Sequence, residues 1–398
     1  MRVAVISNFE KEISPVSGGG TEVFIYTLVS GLVKKSSIDS VHVYGVGKNN
    51  FDNAKIKFIS LIPQPTAEYL ESNESLKILT QNRLDLVSEF KLNMVMKVFK
   101  SFILSKHKYD IIHDNSTSPI FNSLGDLLDV PIVTTIHTNL TSSSILFPNI
   151  LNLIDKNHKY QYFVSVANHQ KKLAEINNVN IYANVYNGID INRFSFSEST
   201  PNNSYGLWIG RINRRHNKGV KEALLTSKKI NKPLVVLCTI DDREYFEESV
   251  EPNLGEQIKM TSGTVKFEEK NEYYKNASYF IYPIQWEESF GLVFVEAMAC
   301  GTPVIAFAKG AVPEIIKDGE TGFIVNQSDK DIRGSWIVKK TGVEGLCEAV
   351  EKLSSMSSSD YKRMRNACRI HVEKNFTVEK MIDGYEKLYK KILINRNT

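Results

Sequence analysis

The chain has 398 residues, 42% hydrophobic and 24% charged, with a formal net charge of +4. That is the composition of ordinary globular domains, two or three of them at about 150 residues each, and no apolar run nears the roughly 18 residues a membrane span requires. So small a charge excludes a nucleic-acid binder built on a clustered basic surface, and Cys238, Cys300, Cys347 and Cys368 lack metal-ligand spacing and read as reduced thiols of a cytoplasmic protein.

The start, MRVAVISN, has no basic lead, long apolar stretch or small-residue cleavage site; it is expected to be a buried first strand of a chain that begins at Met1. Strands are expected over residues 3–7, 41–46, 56–61, 110–113, 132–137 and 162–166. A second series, 207–209, 234–238, 265–267, 279–283 and 304–307, follows the turn YNGID and the polar stretch SFSESTPNNS. Helical patterns alternate with these runs, as in parallel sheets covered by helices, so two doubly wound α/β halves should meet near residue 190. Ligands of such sheets bind beyond the carboxyl ends of the strands, which places the expected chemistry in the loops after strands, in a cleft that the halves face. Residues 63–107 read as inserted helices and a loop, and three helical stretches close the chain. Within the insertion, KVFKSFILSKHK interleaves basic and apolar residues. That pattern suits weak peripheral contact with an anionic inner membrane surface and, more simply, a helix packed on the sheet with solvated lysines.

Four stretches carry candidate chemistry. In SNFEKEISPVSGGGTEVFIY, Gly19 and Gly20 precede a helix and would let backbone approach a ligand, although the loop is neither G-x-G-x-x-G nor a P-loop. His113 and His137 end strands with no metal-binding partner at short spacing, so no zinc site is expected; His137, after a strongly apolar strand, is the better functional candidate. In WIGRINRRHNKGV, Arg211 follows a strand and Lys218 precedes a helix; a rigid fork and a mobile ammonium together suit a diphosphate, while Arg214 and Arg215 read as solvated loop charges.

The fourth stretch is WEESFGLVFVEAMACGTPV. It reads as a helix from Gly291 to Cys300, stopped by Gly301 and Pro303, with Glu288 just before it and Glu296 inside an otherwise apolar run. The amides of Phe290, Gly291, Leu292 and Val293 are then unpaired donors at a helix N-terminus, suited to phosphate. A lone carboxylate in such a helix needs a polar partner, either hydroxyls of a ligand such as a ribose or a neighbouring basic side chain. No G-x-S-x-G elbow is present, and the Asp329–Asp331 tripeptide reads as a solvated loop rather than a metal-binding D-x-D.

Together these stretches resemble the retaining glycosyltransferases of family 4. WEESFGLVFVEAMACGTPVIAFAKGAVPEIIKDGETGFIV is similar to their E-x7-E region with Glu288 and Glu296 as its glutamates, GRINRRHNKG to their diphosphate segment, GGGTE to their glycine loop and VYNGIDINRF to their interdomain passage. The resemblance implies a GT-B fold: an acceptor-binding Rossmann-like domain over 1–188, a nucleotide-sugar-binding one over 189–376, and a last helix, 377–398, crossing back to the first. It implies that Glu296 meets the nucleotide ribose, Glu288 faces the donor sugar, Arg211 and Lys218 hold the diphosphate, and His137 lies near the sugar. By the same likeness Gly19 and Gly20 approach donor phosphate and acceptor, and Ser289 to Val293 line the donor site. The expected partners are a nucleotide sugar, most readily a UDP-sugar, and an acceptor shaped by residues 63–107 and 139–157; neither a metal nor another cofactor is expected. The sequence departs from the family at Glu287, a second acidic residue beside the motif, at Ser289, where relatives often have proline or glycine, and in VKFEEK, which lacks a common glycine. A related nucleotide-sugar enzyme such as an epimerase, and a noncatalytic nucleotide-sugar binder, are the rival readings.

Overall fold

The computed structural model describes residues 1–17, 19–72, 84–104, 109–138, 160–176, 179–199, 205–214, 217–263 and 265–397; Arg215 and the segment 139–157 lie outside them. The chain divides into two compact units, Met1–Gly188 with Val378–Thr398, and Ile189–Thr377.

The first unit is built on a parallel sheet in the order β3-β2-β1-β4-β5-β6-β7. Its strands are β1 (Arg2–Ile6), β2 (Ser40–Gly45), β3 (Ile56–Ser60), β4 (Ile111–Asp114), β5 (Ile132–Ile136), β6 (Gln161–Ser165) and β7 (Ile181–Asn184). The run Val3, Ala4, Val5, Ile6 is fully buried because a central parallel strand is covered on both faces. Val3 and Val5 pack with the helices Gly20–Leu32 and Val378–Asn397, while Ala4 and Ile6 pack with Met94, Val95, Val98 and Phe99 of the helix Leu84–Leu104. That helix is thus seated on the sheet by its apolar stripe, with Lys97 and Lys100 exposed. Among the described residues no helix is long and apolar enough to cross a membrane.

The second unit repeats the design with β8 (Gly206–Ile212), β9 (Leu234–Ile240), β10 (Ile258–Ser262), β11 (Tyr279–Tyr282), β12 (Val304–Phe307) and β13 (Gly322–Val325), in the order β10-β9-β8-β11-β12-β13. The expected strand at 265–267 is corrected: Phe267 opens the helix Phe267–Asn276, whose first turn carries Glu268 and Glu269, favourable at a helix N-terminus. The strand beside β9 is instead Ile258–Ser262, a half-exposed edge whose mixed pattern hides it from periodicity. In each sheet the strand order reverses once, between β1 and β4 and between β8 and β11, and such reversals open a crevice at the carboxyl ends of the strands.

Candidate functional site

At the β8/β11 reversal two loops are latched together. Gln285 N–H donates to the Asn217 carbonyl at 3.0 Å, and Gly219, at φ 73°, lies so close to Pro283 that a Cβ would strike the Pro283 carbonyl oxygen. Only glycine combines that left-handed backbone with that approach. The latch sets Arg211, at the end of β8, and Lys218, just before the helix Val220–Ile230, beside the loop that carries Glu288.

Lys218 runs its stem past Gly210, with its ammonium 5.9 Å from the centre of the buried Tyr282 ring. Tyr282 first, then Glu288 against the opposing effect of burial, hold the ammonium above its ordinary pKa. Burial raises the Glu288 carboxyl, while Lys218 and the amides of Phe290 and Ser289 pull it back. Arg211 is more exposed, its Nε donating to Asp241 at 2.6 Å. The helix observed is Leu292–Ala299, entered through Gly291 at φ 86°. The expected set of free amides is corrected at Phe290, whose N–H is turned to the Glu288 carboxylate, as is that of Ser289 at 3.1 Å. Among the described residues the buried Ser289 hydroxyl has no hydrogen-bond partner, an unusual state for a polar atom outside a site that receives a ligand.

Glu296 has protein partners: its Oε2 accepts from Lys270 Nζ at 2.6 Å and from Tyr274 Oη at 3.0 Å. Of the two partners expected for this carboxylate, the neighbouring basic side chain is the one observed: the helix Phe267–Asn276 brings a cation and a phenol to the same oxygen, leaving Oε1 to other donors. Phe267 has its ring faced by the Arg193 guanidinium at 4.0 Å. Asp331 is not a solvated loop charge: it pairs with Lys309 and Arg333, whereas Asp329 accepts from Thr341 Oγ1 at 2.8 Å. Arg214, read as solvated, pairs with Glu248 at 2.6 Å but remains half exposed.

In the first unit, the β4/β5 ends hold both strand-end histidines. His113 is fully buried with each ring nitrogen engaged, Nδ1 to Tyr389 Oη at 2.5 Å and Nε2 to Thr135 Oγ1 at 2.7 Å, which makes it a tie between the sheet and the Val378–Asn397 helix. His137 is only partly buried. Asn115 donates Nδ2–H to the Ile6 carbonyl, so its Oδ1 must accept from His137 Nε2 at 2.9 Å; the His137 Nδ1 then carries a lone pair. Burial lowers the His113 imidazole to about 3 and moves the less buried His137 in the same direction, keeping both neutral at pH 7. Gly19 is half-buried against the buried Glu22 carboxylate and Gly20 is exposed at the start of its helix.

A pH dependence follows from His113. Its folded pKa, about 3, lies below the unfolded value of 6.5, so the unfolded chain takes up the proton first and the stability present above pH 6.5 is lost as pH falls. At about 1.4 kcal/mol per pH unit, His113→Gln is expected to lose about 2 kcal/mol less stability between pH 7 and 5 than the parent does. Denaturant unfolding of both proteins at the two pH values measures this; equal losses would remove His113 as the cause.

Three features escape a reading of the sequence: Lys270 with Tyr274, the pairing of Glu287 with Arg333, and the seat of Gly310 against the Glu288 backbone. The i, i+4 spacing of Lys270 and Tyr274 gives a signal once 267–276 is taken as a helix; the other two leave none.

Residues 192–333, which include Arg211, Lys218, Glu288 and Glu296, match the family model described as glycosyl transferases group 1. The sulfoquinovosyl transferase SQD2 of Arabidopsis thaliana is 27% identical over 255 residues, 57% of this chain and 48% of that protein. The chain spans about half, or less, of the length of the curated relatives it first matches. Among solved structures, sucrose-phosphate synthase from Thermosynechococcus elongatus superposes with TM-score 0.73 at 19% identity over 99% of both chains. Anabaena HepE in complex with UDP-glucose does so with TM-score 0.68 at 14% identity, over 98% of this chain and 100% of that one. The fold is GT-B: two Rossmann-like units, each on a parallel sheet.

Proposed function

We propose that the chain is a retaining glycosyltransferase of family 4, moving a sugar from a nucleotide diphosphate sugar, a UDP-sugar in first place, to an acceptor hydroxyl. The observation that supports this most is the gathering of Arg211, Lys218 and Glu288 at the β8/β11 reversal, ahead of a helix N-terminus and inside the segment that matches the group 1 model. When the bond from sugar to diphosphate breaks, negative charge grows on the departing phosphate; Lys218, Arg211, the amides at Gly291 to Val293 and the Ser289 hydroxyl are the preorganised donors for it. Glu296, with Oε2 fixed by Lys270 and Tyr274, offers Oε1 to the ribose hydroxyls, and Glu288 faces the donor sugar. A neutral His137 whose Nδ1 carries a lone pair suits a sugar hydroxyl.

Because fixed cations occupy the role a divalent metal would otherwise fill, transfer is expected to proceed without one. A thermal-shift screen of nucleotide sugars finds the donor, since a ligand at 100 times its dissociation constant adds about 2.7 kcal/mol. Early proton NMR of the product, with and without exhaustive EDTA, then reads the anomer. An inverted product would refute retention; activity abolished by EDTA and restored by Mg²⁺ or Mn²⁺ would refute the metal-free mechanism.

The two glutamates should separate. Glu296→Ala is expected to weaken UDP binding about tenfold, the worth of one charge-assisted hydrogen bond, whereas Glu288→Gln lowers turnover with UDP affinity within about twofold. Calorimetry with UDP beside steady-state kinetics checks both, and unchanged UDP binding in Glu296→Ala removes its ribose role.

A further inference from the structure

Away from the β8/β11 latch, the loop that carries Glu288 is held by a closed ring of contacts. Glu287 accepts two bonds from the Arg333 guanidinium, at 2.6 and 2.8 Å, and one from Gly310 N–H at 2.7 Å. The same guanidinium donates Nε–H to Asp331 at 2.7 Å, Asp331 pairs with Lys309, and Lys309 adjoins Gly310, which closes the ring. Glu288 is gripped through its main chain: its carbonyl accepts from Ala311 N–H at 2.8 Å, and Gly310, at φ 58°, packs on its peptide so closely that any Cβ would strike it. Loops after β11, β12 and β13 are thereby joined.

A solvated surface pair would hold little, but this one is bidentate, shared by four charges, and its side chains are only 10% (Lys309) to 31% (Arg333) exposed. Two cations face two carboxylates, so the ring has no net charge with which to attract a phosphate, and every charged group in it is turned to another. Such a ring is suited to fixing backbone. We propose that Arg333 and Glu287 form a clasp that positions Glu288, governing turnover of the donor without touching it. This rests on the reading of Glu288 as the carboxylate that faces the donor sugar. A reacting group displaced by about 1 Å can lose up to about a hundredfold in rate, and a partly loosened loop loses less.

The test uses the full chain with Arg333→Gln, Glu287→Gln and the double variant, the UDP-sugar that the parent turns over, and UDP itself. Turnover is expected to fall about tenfold in each single variant with UDP affinity changed less than about twofold, and the double variant to lose no more than either single, because both break one clasp. Arg333→Lys, which restores the charge without the fork, should recover less than half of the loss. Parent-level turnover in the single variants, losses that multiply in the double variant, or losses that fall on UDP affinity instead of turnover overturn the clasp. Hydrogen exchange needs no donor: amides of residues 287–291 should exchange faster in Arg333→Gln, and unchanged protection overturns the clasp as well. If the parent itself neither binds UDP nor turns over a UDP-sugar, the proposed function fails, and the exchange measurement alone decides the clasp.

Discussion

Lys218→Ala is expected to cut sugar transfer by two to three orders of magnitude, the loss that follows removal of one preorganised donor from a developing anion. The ammonium is held charged at neutral pH beside Tyr282 and Glu288, with its pKa raised, so its whole charge is available as the diphosphate leaves. Arg211→Ala is expected to lose turnover on the same scale, although Arg211 sits farther out and its Nε is shared with Asp241. Lys218→Met separates charge from packing: it keeps the stem against Gly210 and should fold like the parent yet remain as inactive as the alanine variant. Steady-state kinetics on variants whose melting temperatures match the parent's provides the measurement. Near-parent turnover in folded Lys218→Met would show that the cation does not serve the leaving group.

Arg365→Met is expected to destabilise the second unit by about 4 kcal/mol, a loss comparable with breaking a buried ion pair. Arg365 is fully buried and has no carboxylate partner among the described residues; its donors go to the carbonyls of Ser197, Ala277, Lys275 and Cys300 at 2.8 to 3.2 Å, and to Tyr361 Oη at 3.2 Å. Three of those carbonyls end the helices Phe267–Asn276 and Leu292–Ala299, where the peptide dipoles leave negative potential that solvates the guanidinium. These helices bear Lys270, Tyr274 and Glu296, so one side chain of the helix Ser358–Asn375 fixes the ends of both site helices. Methionine fills much of the volume and donates nothing, leaving the carbonyls buried without that partner. Chemical denaturation of parent and variant measures the loss; a loss under about 1 kcal/mol would mean that water or neighbouring amides replace the guanidinium.

The sequence by itself determined most of the architecture and where the charged loops fall. Runs such as VAVI and LVVLC announce strands buried on both faces, and Gly291 and Gly301, at φ 86° and 84°, mark the two ends of the Glu296 helix as their sequence positions suggest. Arg211 and Lys218 stand out because a strand end and a helix start are set by neighbours within a few residues. Only the tertiary structure decided what those side chains meet. Glu296 finds Lys270 and Tyr274 from 26 and 22 residues away, Arg333 reaches Glu287 across 46, and Arg365 draws its acceptors from up to 168 residues away. Such pairings depend on strand order: β8 lies beside β11, with β9 and β10 on its other side, and β12 and β13 bring Gly310 and Arg333 to the Glu288 loop. Hydrophobic periodicity and turn chemistry carry information over one or two turns of helix, whereas strand order is fixed by how the crossover helices pack on the two faces of the sheet, a property of the whole unit and of no local stretch.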